Sequence, residues 1–581
     1  MLRTGPLCGA GGLGAALIGG AEALRRRWGE TGAPLVAATL AGAGIVALMV
    51  AILAAFHLYH MVGQVAALAA MALVALGALA LGWVMGPLLA ALGVLAGAAA
   101  PFLLGKGGTP TDLLYGYFAL VAFLGMGIDG LRRWGWIAAL AVVAPLAGGV
   151  LAQEGGAGAP GLGALALAVA ILATALPGGA VMPRAAGPGP LSRGALPETR
   201  VGALAVVLAA AILVLRLPAV HSVMGAGVLA LLLPVWTARA PALAQLALVA
   251  ALSLPAAIAY SLIGTPLMLA LGLVLSPWLA QAAVALAAFA GVAMLWRSEV
   301  ASGRARDLWA LLAIATPGST LIAAELFWAP VGVIGAFPWA ATAMALAVGY
   351  TALALWAGRV DGGQGARLGA AAAAALGAIA LALMTLLSAS ALTAALAVLM
   401  VAGAALDRRM NLPELSVILG LGTLTLSWRM LIDPGLDWLM SPGTAPFDVW
   451  LALLATLAGP LAALLVSRDL PANRLRDWGR IVAETGLTGL VPAALAVVAV
   501  RFLGDEVRIH ALMGIQGAVL IAASWVQLRR AVLMPESRAM GVVRRVLAVL
   551  AGLAAAVCLV LGATILSPGF GGWFADPVQG L

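Results

Sequence analysis

The stretch 24-LRRRWGETGAPLVAATLAGAGIVALMVAILAA-55 decides the fold. Three arginines and a tryptophan stand in a row, and from Ala33 to Ala55 no residue carries a charge. A helix of that length rises about 35 Å, enough to cross a hydrocarbon core about 30 Å thick. The basic cluster and its indole suit the head-group level at one end of such a helix. The same alternation recurs along all 581 residues, of which 64% are hydrophobic and 9% charged. An ordinary soluble domain has roughly 25% charged residues. A water-soluble fold is excluded, and the chain reads as one integral membrane region, 1–581, without a soluble domain.

Apolar windows bounded by charge, Pro or Gly clusters predict an all-α polytopic transmembrane helix bundle of about 20 spans. They fall at 5–24, 33–55, 64–82, 84–104, 113–131, 134–152, 161–181, 201–217, 222–236, 241–260, 266–296, 308–326, 329–357, 368–387, 389–405, 415–432, 447–467, 481–503, 511–528 and 546–566. Two windows read in two ways. The window 266–296 is too long for one untilted span and holds a break at Ser276-Pro277, whereas 222–236 is short enough to be re-entrant.

The charges test this count, because loops on the cytoplasmic side are rich in Arg and Lys. Of the 31 basic residues, 25 fall in connections that lie on one side, beginning with Arg25, Arg26 and Arg27. Four fall on the other side (Arg3, Lys106, Arg501 and Arg508), and two, Arg216 and Arg429, fall within spans. The segments 182–200 and 468–480 read as cytoplasmic loops, as does the Arg-bearing stretch from Arg529 to Arg545. Trp28, Trp134, Trp296, Trp356, Trp478 and Trp525 stand beside these clusters as interfacial anchors. Net charge is +9, but the clusters are short and form no aromatic-interleaved stripe, so the basic residues point to anionic membrane lipids and away from nucleic acid. Cys8 and Cys558 lie in apolar runs at opposite ends and suit neither a disulfide framework nor a metal site.

From residue 40 to about 152 the order of small and aromatic residues carries a resemblance. LAGAGIVAL (40–48) leads to AAFHLY (54–59), then LGVLAGAAAPFLL (92–104), then LYGY (114–117) through RRWGW (132–136). In these features the chain resembles a family of large bacterial membrane proteins known as domain of unknown function 2339, best over residues 1–152. The resemblance implies a multi-pass protein of the bacterial inner membrane with no assigned activity. It also implies a soluble, coiled-coil-like segment and one further span ahead of the equivalent of residues 3–27, a segment missing from this chain.

No nucleotide site is readable. Gly9 to Gly14 and Gly156 to Gly161 match G-x-G-x-x-G, but with 73 glycines about one chance match is expected, and neither lies in a strand–turn–helix context. No cofactor, catalytic constellation or metal site is expected. His57 and His60, three residues apart, would share one helical face as a metal or proton-handling pair requires, but no third ligand is near in sequence. All four histidines, His57, His60, His221 and His510, fall at span ends opposite the Arg-rich side.

Ionisable groups inside spans are the stronger lead, since a charge at the bilayer centre costs roughly 2.5–3.5 kcal/mol or more and marks a pathway or a pair. Glu22, Asp129 and Glu484 lie close to the Arg-rich boundary, where pairing with neighbouring arginines suffices. Arg216, Glu325 and Arg429 lie toward the other side, and with Asp433, Asp437, His57 and His60 they outline an outward-opening polar vestibule for an anionic or amphipathic solute. Interhelical ion pairs are the alternative reading of the same charges. Prolines within spans, and the hydroxyl-rich stretch Ile314 to Thr320 around Pro317, suggest unwound segments able to bind solute, or kinks that let helices pack. Three functions follow in order of preference. The first is transport or translocation of an anionic or lipid-like solute, the second a non-catalytic scaffold of a membrane or envelope complex, the third a transferase using a lipid-linked donor.

Overall fold

A computed structural model describes residues 5–32, 34–105, 112–264, 277–362, 365–502, 509–533 and 538–564. Among them are twenty helices of 16 to 29 residues and no strand. In chain order these are α1 (Gly5–Gly32), α2 (Pro34–Leu53), α3 (Gln64–Met85), α4 (Pro87–Leu103), α5 (Asp112–Arg132), α6 (Gly135–Glu154), α7 (Ala159–Ala175), α8 (Pro197–Leu215), α9 (Ala219–Trp236) and α10 (Ala247–Gly264). They continue as α11 (Pro277–Val300), α12 (Arg304–Trp328), α13 (Ala336–Val360), α14 (Ala366–Leu386), α15 (Ala389–Met410), α16 (Ser416–Leu431), α17 (Pro446–Ser467), α18 (Arg474–Phe502), α19 (Ile509–Leu533) and α20 (Arg538–Ala563).

Each apolar window of the sequence holds one of these helices. Sixteen are long and apolar enough to cross a membrane, and α4 is a shorter apolar helix. The window 222–236 is not short in the structure, because α9 starts three residues earlier and runs unbroken for 18. At 266–296 the described helix begins at Pro277, where proline needs no N–H partner in the first turn; residues 266–276 lie outside the described set. The segment 468–480 is a loop only as far as Asn473. There the side-chain oxygen accepts the Leu475 N–H at 2.9 Å and the carbonyl accepts the Asp477 N–H at 2.8 Å, so α18 starts at Arg474.

Of the two readings for the stretch around Pro317, unwinding does not occur. α12 is helical throughout, because its hydroxyls bond back to their own turn: Thr316 to the Leu312 carbonyl at 2.7 Å, Ser319 and Thr320 to the Thr316 carbonyl at 3.1 and 2.8 Å. Proline frees the carbonyl four residues before it, here that of Ala313. Gly291 of α11 lies against it, so closely that a Cβ there would sit 2.7 Å from the Ala313 oxygen and 3.1 Å from Pro317 Cγ. The kink is thus filled by a neighbouring backbone and holds no room for solute. Small residues serve the same close approach between α1 and α2, where Gly14 and Gly44 meet.

The chain divides into two compact units, 1–333 and 334–581. The division falls in a short apolar connection around Ala329 and Gly335, both with positive φ, which looks no different from other loops in sequence. The first unit packs around the fully buried Phe118 and Trp309. In the second, Leu396, Met400, Leu426, Ala463 and Ala483 form one cluster and Met430, Val449, Leu490 and Val497 another. Large apolar side chains such as Phe289, Val292, Leu553 and Val560 point outward, as lipid-facing positions require.

Polar contacts between helices agree with the alternating topology. Arg216 pairs with Glu154, Ser390 donates to Asp448 at 2.6 Å, and Trp328 donates to Ser261 at 2.8 Å, all on the Arg-poor side. Trp236 donates to Thr174 at 2.9 Å and Arg476 to Asp407 at 2.6 Å on the Arg-rich side. Each pair joins helix ends that the charge count assigns to the same side.

Candidate functional site: a basic pocket between α17, α18, α19 and α20

One face of α18 carries Asp477, Arg480, Glu484, Leu487 and Thr488, at steps of three and four that keep them in line. This stripe lines a pocket of about 540 Å³ in the second unit. Leu461, Leu464 and Leu465 of α17, with Arg468 just past its end, form a second wall, and Val526, Gln527 and Arg530 of α19 with Arg544 of α20 form the third. From Asp477 to Thr488 the pocket extends about 16 Å along α18, from the Arg-rich boundary toward the bilayer interior. Its volume lies within the roughly 300–1,000 Å³ of small-molecule sites.

The polar groups are held as follows. Arg480 donates to the carbonyl oxygens of Ser467, Arg468 and Leu470 at the end of α17, where unpaired carbonyls and the helix dipole favour a cation. Glu484 is bridged by two guanidinium groups, Arg530 of α19 and Arg544 of α20, the latter at 3.3 Å. Arg544 is 4% exposed and also donates to Gln527 Oε1 at 3.4 Å. Arg468 pairs with Asp469 at 3.3 Å and is 69% exposed. Four guanidinium groups therefore face two carboxylates, with leucines below them. The chemistry suited to this is recognition of an oxyanion attached to an apolar body.

A buried network braces the start of α18. Arg476 donates to both Asp407 oxygens at 2.6 and 2.9 Å and to Asn411 Oδ1 at 2.7 Å. In the neighbouring turn Pro413–Leu415, Glu414 has a buried oxygen without a partner among the described residues. Burial pushes its carboxyl above the usual range, Asp407 adds to the rise, and Arg476 opposes it.

The residues that the sequence suggests for a vestibule are placed as follows. Arg216 ends α8, exposed, paired with Glu154, and its carbonyl accepts from Gln153 at 2.9 Å. Glu325 is half-buried in the last turn of the same unit's α12. Arg429, in the second unit, is buried and donates to Thr393 Oγ1 at 3.2 Å and the Ala389 carbonyl at 2.9 Å. The cavity beside it, reached by Pro434 and Trp438, is about 10 Å³, about the room one water needs. Asp433 and Asp437 are exposed around the six-residue helix Gly435–Met440. His57 and His60 do not share a helical face, because the helix ends at Leu58 in a π-turn and His60 has φ of 49°. His57 instead lies 2.9 Å from the Leu103 carbonyl. His221 is exposed at the start of α9, and the His510 side chain lies outside the described set. Glu484, as expected, pairs with arginines, but with those of α19 and α20 and not with the cluster nearest in sequence.

A family model described as "Predicted membrane protein (DUF2339)" matches residues 6–302, just over half of the chain. The chain belongs to that family. It is thus a multi-pass membrane protein of an uncharacterised family, DUF2339. Neither a curated protein nor a solved structure matches it. The matched residues fall within the first unit, whereas the basic pocket is built entirely from the second. In this DUF2339 chain the arginines of the pocket read in sequence as topology signals. The clue was the polar stripe 477, 480, 484, 488, which continues from the Arg cluster into an apolar span.

Proposed function

We propose that this protein binds an anionic, lipid-like solute and moves it across the bacterial inner membrane, with the Arg-rich side toward the cytoplasm. The observation that carries the reading is the pocket of about 540 Å³ whose upper wall is guanidinium and whose lower wall is leucine. A head group finds charge-assisted hydrogen-bond donors there, and the first methylenes find an apolar floor within the bilayer depth. A wholly structural role for these arginines would leave the volume filled, as the kink at Pro317 is filled by Gly291. The charges of the opposite side, Arg216 and Arg429, serve in this reading as ties between helices.

The test is reconstitution of the full chain in phosphatidylcholine vesicles with a short-chain fluorescent anionic lipid and its zwitterionic counterpart. The expected result is protein-dependent movement of the anionic lipid that falls at least severalfold in Arg530→Gln. Equal movement of both lipids, or none, overturns the proposal. The second reading, a scaffold, draws on the Arg216–Glu154 pair and on the hydrogen bonds that tie Arg429 to Thr393 and Ala389, and becomes the better one in that event.

A further inference from the structure

We infer that Glu484 is a resident counter-ion that the ligand must displace, and that the displacing group is a phosphate-monoester head. The inference rests on the functional reading above and names both the ligand chemistry and the residue that regulates its exchange.

Two guanidinium groups from different helices, Arg530 and Arg544, converge on one carboxylate at the edge of a cavity far larger than that carboxylate. Glu484 is 21% exposed on the side chain, so it faces the cavity and is not sealed behind it. A carboxylate bound in this way occupies the place an incoming oxyanion would take, since it presents the same two-oxygen edge to the same donors. Entry of a ligand is then an exchange: the guanidiniums release Glu484 and close on the ligand, and the return of Glu484 releases the ligand. Gln527, which accepts from Arg544 at 3.4 Å, holds that guanidinium in place while its partner changes.

The exchange also selects charge. A monoanionic diester offers the two guanidiniums no more charge than Glu484 does, whereas a phosphate monoester carries about −1.5 to −2 at neutral pH. The monoester outcompetes the resident carboxylate and the diester does not. Leu461, Leu464, Leu465 and Leu487 then meet the apolar body. The shared chemistry, a phosphate monoester, occurs both in a lipid of the phosphatidic-acid type and in free phosphate, and we assign the lipid because of this floor.

The experiment is titration calorimetry of the full chain in phosphatidylcholine nanodiscs. The probes are dioctanoyl phosphatidic acid, dioctanoyl phosphatidylglycerol and inorganic phosphate. Wild type should bind the phosphatidic acid at least tenfold tighter than the phosphatidylglycerol. Glu484→Gln should bind phosphatidic acid about tenfold tighter than wild type while moving it across vesicles more slowly, since nothing reclaims the guanidiniums. Glu484→Asp, too short to span both arginines, should fall between and serves if the Gln variant fails to fold. Unchanged or weaker binding by a folded Glu484→Gln, with wild type still binding, overturns the counter-ion role and leaves the functional reading standing. Equal binding of the diester overturns the charge selection, and equal competition by inorganic phosphate overturns the lipid assignment. No binding of any probe by wild type overturns the functional reading itself.

Discussion

Arg476 and Asp407, 69 residues apart, form a two-point ion pair with both side chains at most 3% exposed. It ties the end of α15 to the first turn of α18, so it fixes where the pocket-lining stripe begins. Breaking a buried pair by removing one partner leaves a charge without compensation, at a cost of about 3–5 kcal/mol. Asp407→Ala should therefore lower the midpoint of heat-induced aggregation strongly, and Asp407→Ala/Arg476→Met should recover much of the loss. A single mutant as stable as wild type would contradict this.

The pair Arg216–Glu154 should behave in the opposite way. Its side chains are 38% and 61% exposed, and exposed pairs contribute about 0–1 kcal/mol. Arg216→Ala is expected to shift the same midpoint by no more than a degree or two, with any effect fading as salt is raised.

Gly291 is the residue on which the α11–α12 crossing depends. Valine there would meet the Ala313 oxygen and Pro317, and overpacking of this type costs about 1–3 kcal/mol. Gly291→Val should lower the yield of monodisperse protein, whereas Gly77→Val, where nothing lies within 4 Å of an added Cβ, should not.

Glu414 makes stability depend on pH. Its folded value is raised, so the folded state holds the proton more tightly than the unfolded chain does. That contribution is fully present below the ordinary value of 4.5 and is lost as pH rises through the folded value. Glu414→Gln keeps the neutral form at every pH. It should be more heat-resistant than wild type at pH 7 to 8, and the difference should shrink toward pH 4.5; a constant offset would refute it.

Topology has a direct check. With the Arg-rich side in the cytoplasm, Asp469→Cys should react with a membrane-impermeant maleimide only in inverted vesicles, and His60→Cys only in intact spheroplasts. Both positions are exposed. Labelling of both from one face would mean that the helix count between them is wrong.

Helices were the legible part, because a run of apolar residues closed by Arg and Trp has few other solutions in a bilayer. Positions where a side chain decides the ending were less so: His60 adopts a positive φ and takes itself off the face of His57, which spacing alone does not reveal. The pocket was hidden for a different reason. Arg480, Arg530 and Arg544 belong to clusters that satisfy the positive-inside pattern by themselves, and only the packing of α17 to α20 brings them to one cavity. Arg429 shows the converse: its donors are taken up by Thr393 and Ala389, neither of which sequence pairs with it.

The length of α18 sets the depth at which the pocket opens. α16 has 16 residues and α18 has 29, rises of about 24 Å and about 44 Å against a hydrocarbon core of about 30 Å. The apolar part of α18, from 481 onward, rises about 33 Å, so its polar first turns, with Asp477 and Arg480, reach the head-group level. The basic pocket thus begins at the head-group level and continues down the apolar length of the same helix.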